Sequence, residues 1–161
     1  MEGLKFKLKS EGSLTRKISD DAKMNNISIN VAADRVNDAL RYTTILDSKS
    51  FGRNVLKSLD ELEAAGFTKI AVKNTFVEGE VYKGVNTIFR TKSGQTFEVQ
   101  FHTQRSFNVK QNVNHTLFEE ARLASTSTSR KKELTEVMRR NSEIIPSAQG
   151  ASLIENFSLK R

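Results

Sequence analysis

The stretch Gly94-Gln95-Thr96-Phe97-Glu98-Val99-Gln100-Phe101-His102-Thr103 decides which fold the sequence predicts. Apolar and polar residues alternate along it, which is typical of a β-strand whose two faces have different surroundings. One face should join the core, and the other carries a carboxylate, an amide and an imidazole in succession. The first face consists of Phe97, Val99 and Phe101, and the second of Glu98, Gln100 and His102. Most polar strand faces contact solvent, so the strand alone favours a solvated face.

The composition is that of a folded, basic chain without cysteine. Its 161 residues suit one domain with a core of its own. The 26 Lys and Arg residues exceed the 19 Asp and Glu residues, and the resulting net charge of +7 favours polyanionic partners such as nucleotides, RNA or anionic surfaces. The absence of cysteine excludes disulfides, thiolate catalysis and cysteine-based metal sites. No apolar run approaches the ~18 residues of a membrane span, and residues 1–13 lack the apolar segment of a secretory signal.

Four further strands are predicted before the opening stretch. Residues 4–8 alternate apolar side chains with lysine, as edge strands do. Residues 39–46 are rich in β-forming side chains and predict a central strand, and residues 67–76 and 85–91 predict two more. Ser93-Gly94 predicts a two-residue hairpin, which makes the opening strand an antiparallel neighbour of the strand before it.

Helices are predicted before, between and after these strands along the chain. Ser13 or Thr15 should cap a helix that runs to about Asp38 with a break near Asn25-Asn26, and residues 50–65 form an amphipathic helix that Gly66 ends. After Thr103 the apolar spacing again becomes helical, and a short basic helix follows over residues 130–145. The predicted fold class is therefore α/β (α+β), with a mixed, partly antiparallel sheet of about five strands flanked by helices.

The domain organisation predicted from this order is simple. Residues 1–12 form a lead-in, residues 13–145 a single catalytic domain, and residues 146–161 a loosely held C-terminal tail.

Several well-known chemistries are excluded by their missing motifs. The sequence has no Walker A motif, no GxGxxG, no HExxH and no GxSxG, and two histidines, His102 and His115, cannot form a histidine-based zinc cage. Carboxylates and cations remain. Together they are what magnesium-dependent phosphoryl transfer needs, because carboxylates hold the metal while cations neutralise phosphate oxygens. The candidate residues are Asp38 and Glu98 with Arg16, Lys17, Lys73, Lys83 and Arg90.

Tyr82, which lies next to Lys83-Gly84, could stack on a nucleotide base. Each candidate also has an ordinary interpretation. Asp38 could be a surface acid, Tyr82 an aromatic packed on a turn, and Arg16-Lys17 solubilising charge.

The order of these residues resembles the synthetase domain of the RelA/SpoT family of alarmone synthetases over roughly residues 13–124. Arg16-Lys17 resembles the family's pair that holds the ATP phosphates, and Asp38 resembles its metal-binding aspartate. Tyr82-Lys83-Gly84-Val85-Asn86 resembles the loop whose tyrosine stacks on the acceptor base. The opening strand, Glu98-Val99-Gln100-Phe101-His102-Thr103, resembles the Glu-Ile-Gln-x-Arg-Thr strand, and His115 resembles a histidine that precedes an aromatic residue.

Two departures from the family pattern concern the site. The family's Asp-x-x-Gly-x-Arg segment is here Asp38-Ala39-Leu40-Arg41-Tyr42-Thr43, without the glycine and with the arginine displaced. His102 replaces the usual arginine of the Glu-Ile-Gln-x-Arg-Thr strand. The hydrolase and regulatory domains of long family members are absent from the sequence. The chain therefore resembles the small synthetases and the synthetase-like toxin domains of secreted interbacterial effectors, and the altered acceptor region favours the toxin.

The resemblance implies an ATP-dependent pyrophosphokinase that transfers pyrophosphate to the 3′-hydroxyl of a purine nucleotide. It implies Mg²⁺ as cofactor, with Asp38 and Glu98 as catalytic and metal-binding residues. The nucleotide-binding residues would be Arg16, Lys17, Arg41, Lys73, Tyr82, Lys83, Asn86, Gln100 and His115. The partners would be ATP, an acceptor purine nucleotide and a cognate immunity protein, with no membrane and no stable nucleic acid. The site of action would be the bacterial cytoplasm, after secretion as the C-terminal domain of a larger effector.

Two alternatives stay open at the level of sequence. An ADP-ribosyltransferase toxin would also place an arginine on one strand and a glutamate on a later one, as Arg41 and Glu98 do. Such folds prefer the acid two residues after a Gln or Glu, whereas Glu98 precedes Gln100. A non-catalytic basic RNA-binding domain would suit the net charge, although aromatic residues do not alternate with cations along one face.

Overall fold

The computed structural model of this chain describes residues 8–159, which form helices, short helical turns and five strands. In chain order the elements are α1 Glu11–Asn25, α2 Ile29–Asp34, β1 Arg41–Ile45, α3 Phe51–Ala64, β2 Thr68–Asn74, β3 Val85–Arg90, β4 Thr96–His102, α4 Gln104–Asn108, a π-helical turn Val109–Asn114, α5 His115–Arg122, α6 Thr128–Glu143, a 3-10 turn Ala151–Leu153 and β5 Phe157–Ser158.

The strands form one mixed sheet in the order β1-β4-β3-β2-β5. Strands β1 and β4 are parallel, and the other neighbours are antiparallel. The predicted fold class is therefore confirmed. Its fifth strand is β5. Residues 4–7 of the strand predicted at 4–8 lie outside the described part of the chain. Leu8, the last residue of that prediction, forms an isolated antiparallel bridge with Leu40.

The opening stretch forms β4, and both of its faces are buried. Phe97, Val99 and Phe101 belong to the apolar core, together with Phe51 and Val55 of α3. On the opposite face, the exposed fractions of the side chains are also small: Glu98 6%, Gln100 3% and His102 0%. The prediction from the strand alone, that this face contacts solvent, is therefore wrong. The helices that follow Thr103 fold back over this face, and a sequence pattern within one strand cannot report such long-range cover.

The predicted N-terminal helix is divided and begins earlier than expected. Ser10 caps α1, because its side chain accepts a hydrogen bond from the backbone N–H of Ser13, and neither Ser13 nor Thr15 is the cap. The predicted break is present at Asn26, which adopts a left-handed conformation with φ 50°. A second cap, Ser28, starts α2, and the helical structure ends at Asp34 rather than near Asp38. Asp38 therefore lies in a connection that leads into β1.

Two predictions about the strands need correction. Strand β1 lies at an edge of the sheet, because it pairs with β4 alone among the described strands, and it is not the central strand that its composition indicated. The turn between β3 and β4 contains three residues, since the backbone N–H of Thr91 donates to the carbonyl of Gln95 (2.8 Å). Gly94 takes the left-handed position that such a loop requires, with φ 91°.

The C-terminal tail is part of the core, contrary to the prediction that it is loosely held. Ala148, Ala151 and Ile154 are buried against the main apolar cluster. The side-chain amide of Asn74 donates to the carbonyls of Ala151 (2.8 Å) and Ile154 (3.0 Å), and β5 pairs with β2. A polar residue of an inner strand thus provides hydrogen-bond donors for backbone carbonyls of the irregular tail. The sequence of the tail itself does not reveal this distant partner.

Candidate active site

The polar face of the sheet opens into a cleft of about 820 Å³. Its walls come from α1, the start of β1, the loop before β3, the helical segment after β4, and α6. Six of the residues that the sequence indicated line this cleft, among other polar and apolar groups: Lys17, Asp38, Arg41, Tyr82, Lys83 and His115. A volume of this size suits a nucleotide-sized ligand.

Arg41 links the two candidate carboxylates. Parallel pairing of β1 with β4 places Arg41 directly beside Glu98, so both side chains leave the sheet on the same face. The Nε of Arg41 donates to Oε2 of Glu98, and its Nη2 donates to Oδ2 of Asp38 (3.1 Å). Gln100 donates its amide N–H to the same Glu98 oxygen (3.0 Å). The structure therefore brings Asp38 and Glu98 to one guanidinium, although 60 residues separate them.

Two lysines also contact Asp38, one on each carboxylate oxygen. Lys17 of α1 lies 2.6 Å from Oδ1 and Lys9 lies 2.6 Å from Oδ2. Burial raises the pKa of the Asp38 carboxyl, but the hydrogen bonds and charges of Lys17 and Lys9 outweigh burial and hold the pKa below its usual value. Asp38 is therefore an anion at neutral pH, within a cluster that already contains three cations.

Tyr82 is held by a chain of polar side chains beneath the cleft. Its hydroxyl donates to Oδ1 of Asn86 (2.6 Å) and therefore accepts from Nε2 of His102 (2.8 Å). The other ring nitrogen of His102 lies 3.0 Å from the hydroxyl oxygen of Ser106. Gly84 is needed under this pair, because a Cβ there would lie 2.8 Å from His102 Cε1 and 2.9 Å from the Tyr82 ring. The tyrosine that the sequence proposed as a stacking residue thus has a fixed orientation.

The buried imidazole of His102 is neutral at physiological pH. Burial, followed by the nearby charge of Lys110, lowers the pKa of His102 from 6.5 to about 3. Burial and then the charge of Glu98 raise the pKa of Tyr82, so the hydroxyl stays protonated as well. Folding therefore favours the uncharged forms of both groups.

We expect His102 to make the protein less stable in mild acid. Because its pKa is lower in the folded state, the unfolded chain binds the extra proton between about pH 6.5 and pH 3, and stability falls as the pH falls through that window. Between pH 7.5 and pH 5 this coupling should remove about 2 kcal/mol from the free energy of unfolding. Urea unfolding at the two pH values measures it. His102→Gln should lose most of this dependence and the exposed His115→Gln should keep it; an equal pH dependence in all three proteins would contradict the prediction.

The remaining cations predicted as site residues differ in whether they line the cleft. Arg16 lies beside Lys17 on α1, but its guanidinium is directed towards Glu119 (3.6 Å) and does not line the cleft. Lys73 shares a row of the sheet with Asn86 and Gln100, yet it lies at the surface two strands from β4. Lys83 lines the cleft while its ammonium donates to the carbonyl of Val77.

Three further cations line the cleft and were not singled out from the sequence as site residues: Lys9, Lys110 and Arg122. Lys9 belongs to the alternating N-terminal segment, where its lysines indicated only an edge strand, and it contacts Asp38. Lys110 lies on the π-helical turn and donates to Oε1 of Gln100 (2.6 Å). No motif in the local sequence marks these residues.

Asp38 and Glu98 offer the ligand chemistry that Mg²⁺ prefers. Among residues 8–159 no group of three or more acidic or histidine side chains is placed to enclose a metal ion. Mg²⁺ does not need such a cage, since one or two carboxylates usually hold it together with water and substrate phosphates. Asp38 at the wall of the open cleft and Glu98, buried at the same guanidinium, provide the carboxylate ligands for this mode of binding.

Within the part of the chain that the structure describes, no helix has both the length and the apolar character that a membrane crossing requires.

Comparison with known proteins shows similarity at the level of structure. No protein-family model matches this chain, and no curated protein sequence matches it. A GTP pyrophosphokinase family protein from Streptococcus pneumoniae superimposes with a TM-score of 0.56 at 16% identity, over 85% of this chain and 68% of its own. Small alarmone synthetase 1 from Bacillus subtilis, bound to its product pppGpp, gives 0.53 at 18% identity, over 91% of this chain and 70% of its own.

A third similar structure is that of an effector complex. A chain in the complex between the type VI effector Tas1 and its immunity protein gives a TM-score of 0.55 at 21% identity, over 84% of this chain and 77% of its own. These structures confirm the resemblance inferred from the sequence at the level of the fold. The chain has a RelA/SpoT synthetase-like fold with a mixed five-stranded sheet.

Proposed function

We propose that this protein is an ATP-dependent pyrophosphokinase that modifies the 3′-hydroxyl of a purine nucleotide. The observation that carries the proposal is the joint position of Asp38 and Glu98, which come from separate elements and meet at Arg41. Asp38 and Arg41 line the cleft, and Glu98 is buried next to Arg41. Tyr82 lines the same cleft, in a fixed orientation that suits stacking of a base. The fold shared with pyrophosphokinases supports the same reaction.

In the proposed reaction, the 3′-oxygen of the acceptor bonds to the β-phosphorus of ATP. The bond between that phosphorus and the oxygen that bridges it to the α-phosphate breaks, and AMP leaves. Glu98 accepts the proton of the 3′-hydroxyl, and Gln100 orients the Glu98 carboxylate through the 3.0 Å hydrogen bond. Lys17 and Arg41 neutralise phosphate oxygens once ATP competes with Asp38 for them.

Asp38 and Glu98 would hold Mg²⁺, which supplies charge neutralisation at the phosphate oxygens. Arg16, Lys73, Lys83 and His115 stay proposed nucleotide-binding residues, with Lys83 and His115 in the stronger position because they line the cleft.

Nucleotide chromatography tests this function directly. The protein is incubated with ATP and Mg²⁺ plus ADP, GDP or GTP, and we expect equal amounts of AMP and a 3′-pyrophosphorylated product. A parallel incubation with labelled NAD tests the ADP-ribosyltransferase alternative, which uses Arg41 and Glu98 in a different chemistry. If no acceptor yields AMP together with a pyrophosphorylated product, the proposed function is wrong.

We further propose that this activity acts as an antibacterial toxin inside the target cell, against which a cognate immunity protein protects. The similarity to a chain of the effector–immunity complex supports this role. Induced expression in a bacterial cytoplasm should stop growth and lower ATP, and Asp38→Asn should abolish both effects. A variant that stays toxic without pyrophosphokinase activity would contradict this role.

A further inference from the structure

Lys110 occupies an unusual position in the helical segment after β4. The π-helical turn Val109–Asn114 widens the helix between α4 and α5, and such turns are frequent at functional sites. Lys110 lies on this turn and lines the cleft, half-buried, instead of extending into solvent. Neither the sequence pattern nor the proposed reaction uses this residue.

The contacts of Lys110 place its ammonium between two parts of the proposed acceptor site. Its Nζ donates to Oε1 of Gln100 (2.6 Å), and Gln100 in turn donates to Glu98 (3.0 Å). The same Nζ lies 5.8 Å from the ring centre of Tyr82 and 6.0 Å from that of Phe107. One cation therefore faces both the aromatic ring proposed for base stacking and the amide that orients Glu98.

The charge of Lys110 is only partly compensated by the protein. Burial and the charge of Arg41 lower the pKa of Lys110 to about 8, and the charge of Glu98 offsets only part of this effect. Among residues 8–159, one side-chain oxygen, Oε1 of Gln100, accepts from the ammonium, which has three N–H donors. Donors remain that a ligand oxygen in the cleft could use.

We propose that Lys110 is an acceptor-binding residue, whose ammonium donates to oxygen atoms of the nucleotide that stacks on Tyr82. This inference rests on the proposed function, because that function places the acceptor base on Tyr82 and the 3′-hydroxyl at Glu98. Lys110 is near both groups, because its Nζ lies 5.8 Å from the ring centre of Tyr82 and donates to the amide that donates to Glu98. Ribose oxygens and 5′-phosphate oxygens offer the same chemistry to an ammonium, and the experiment distinguishes these two sources.

Calorimetric titration of the purified protein with single nucleotides tests the inference without requiring turnover. The probes are ADP, GDP, the corresponding nucleosides and a non-hydrolysable ATP analogue. Lys110→Met keeps the aliphatic length and removes the charge, and Lys132→Met is the matched control, because Lys132 is exposed on α6 and does not line the cleft. Lys110→Met should weaken binding of the preferred acceptor at least about tenfold and leave the ATP analogue within about twofold. Lys110→Arg should restore part of the acceptor affinity.

Binding of the nucleosides, which lack phosphates, shows whether Lys110 contacts ribose oxygens or phosphate oxygens. If Lys110 contacts the ribose, Lys110→Met should weaken binding of the nucleoside and of the nucleoside diphosphate equally. If Lys110 contacts the phosphates, the substitution should weaken binding of the diphosphate alone. Unchanged acceptor binding in Lys110→Met, equal losses for acceptor and ATP analogue, or no nucleotide binding by the unmodified protein would each overturn the inference. If Lys110 controls binding of a purine nucleotide while no pyrophosphate is transferred, the proposed function fails and the binding role stands. If pyrophosphate is transferred and Lys110→Met binds the acceptor normally, the binding role of Lys110 fails and the proposed function stands.

Discussion

Glu98→Gln is expected to lower the rate of AMP release by about 10²–10⁴-fold, the usual loss when a general base is removed. Glutamine has nearly the same shape as glutamate and can still accept a hydrogen bond from Arg41. It cannot take up the proton of the 3′-hydroxyl, and it is a weaker ligand for a cation. Because Glu98 is 6% exposed and central to the network, a substitution of different size would confuse loss of chemistry with loss of packing.

Chromatography of ATP and its products measures this effect, and thermal unfolding shows whether the variant remains folded. Glu155→Gln is the matched control, since Glu155 is exposed in the C-terminal segment and should leave the rate unchanged. Wild-type turnover in Glu98→Gln would show that Glu98 does not act as the base, even if the protein is a pyrophosphokinase.

Gly52→Ala should destabilise the protein by about 3 kcal/mol, although alanine is the better helix former by about 1 kcal/mol. Gly52 lies in the first turn of α3, where its N–H donates to the carbonyl of Gln149 (2.9 Å). A Cβ on Gly52 would lie 2.8 Å from Cα of Gly150 and closer still to the carbonyl carbon and oxygen of that residue. Backbone atoms cannot rotate away as a flexible side chain can, so the C-terminal segment must be displaced from the core.

Gly12→Ala provides the opposite expectation from the same chemical change. Gly12 lies in the exposed first turn of α1, and a Cβ there would meet nothing within 4 Å. This variant should be neutral or up to about 1 kcal/mol more stable. Urea unfolding compares the two variants, and limited proteolysis should cleave the C-terminal segment faster in Gly52→Ala alone. Equal stability of both variants would show that the C-terminal segment does not pack against α3.

The elements around the site could be predicted from the sequence to different extents. The strands at β2, β3 and β4 and the helix α3 follow from local periodicity, which depends on residues that are neighbours in the chain. The C-terminal segment could not be predicted in this way, because its backbone is held by Asn74 from a distant strand. Its few apolar residues are buried only because the core offers a place for them.

The residues of the candidate site also divide into those that the sequence indicated and those that it did not. Asp38, Glu98 and Tyr82 could be named from motifs, since each lies in a segment with a recognisable residue order. The role of Lys110 could not, because it depends on a π-helical turn that carries the residue to Gln100. Lys9 was interpreted as an edge lysine, and only the proximity of its segment to the start of β1 brings it to Asp38.

The opening stretch by itself determined that β4 has an apolar face and a face of Glu98, Gln100 and His102, because side chains alternate along any strand. Only the tertiary structure decided what that second face does. Parallel pairing with β1 places Arg41 beside Glu98, and the returning helices bury His102 beneath Tyr82. Strand pairing and helix cover depend on the packing of the whole core, so no local pattern contains them. They turn an ordinary alternating strand into a buried polar layer that supports the residues lining the cleft.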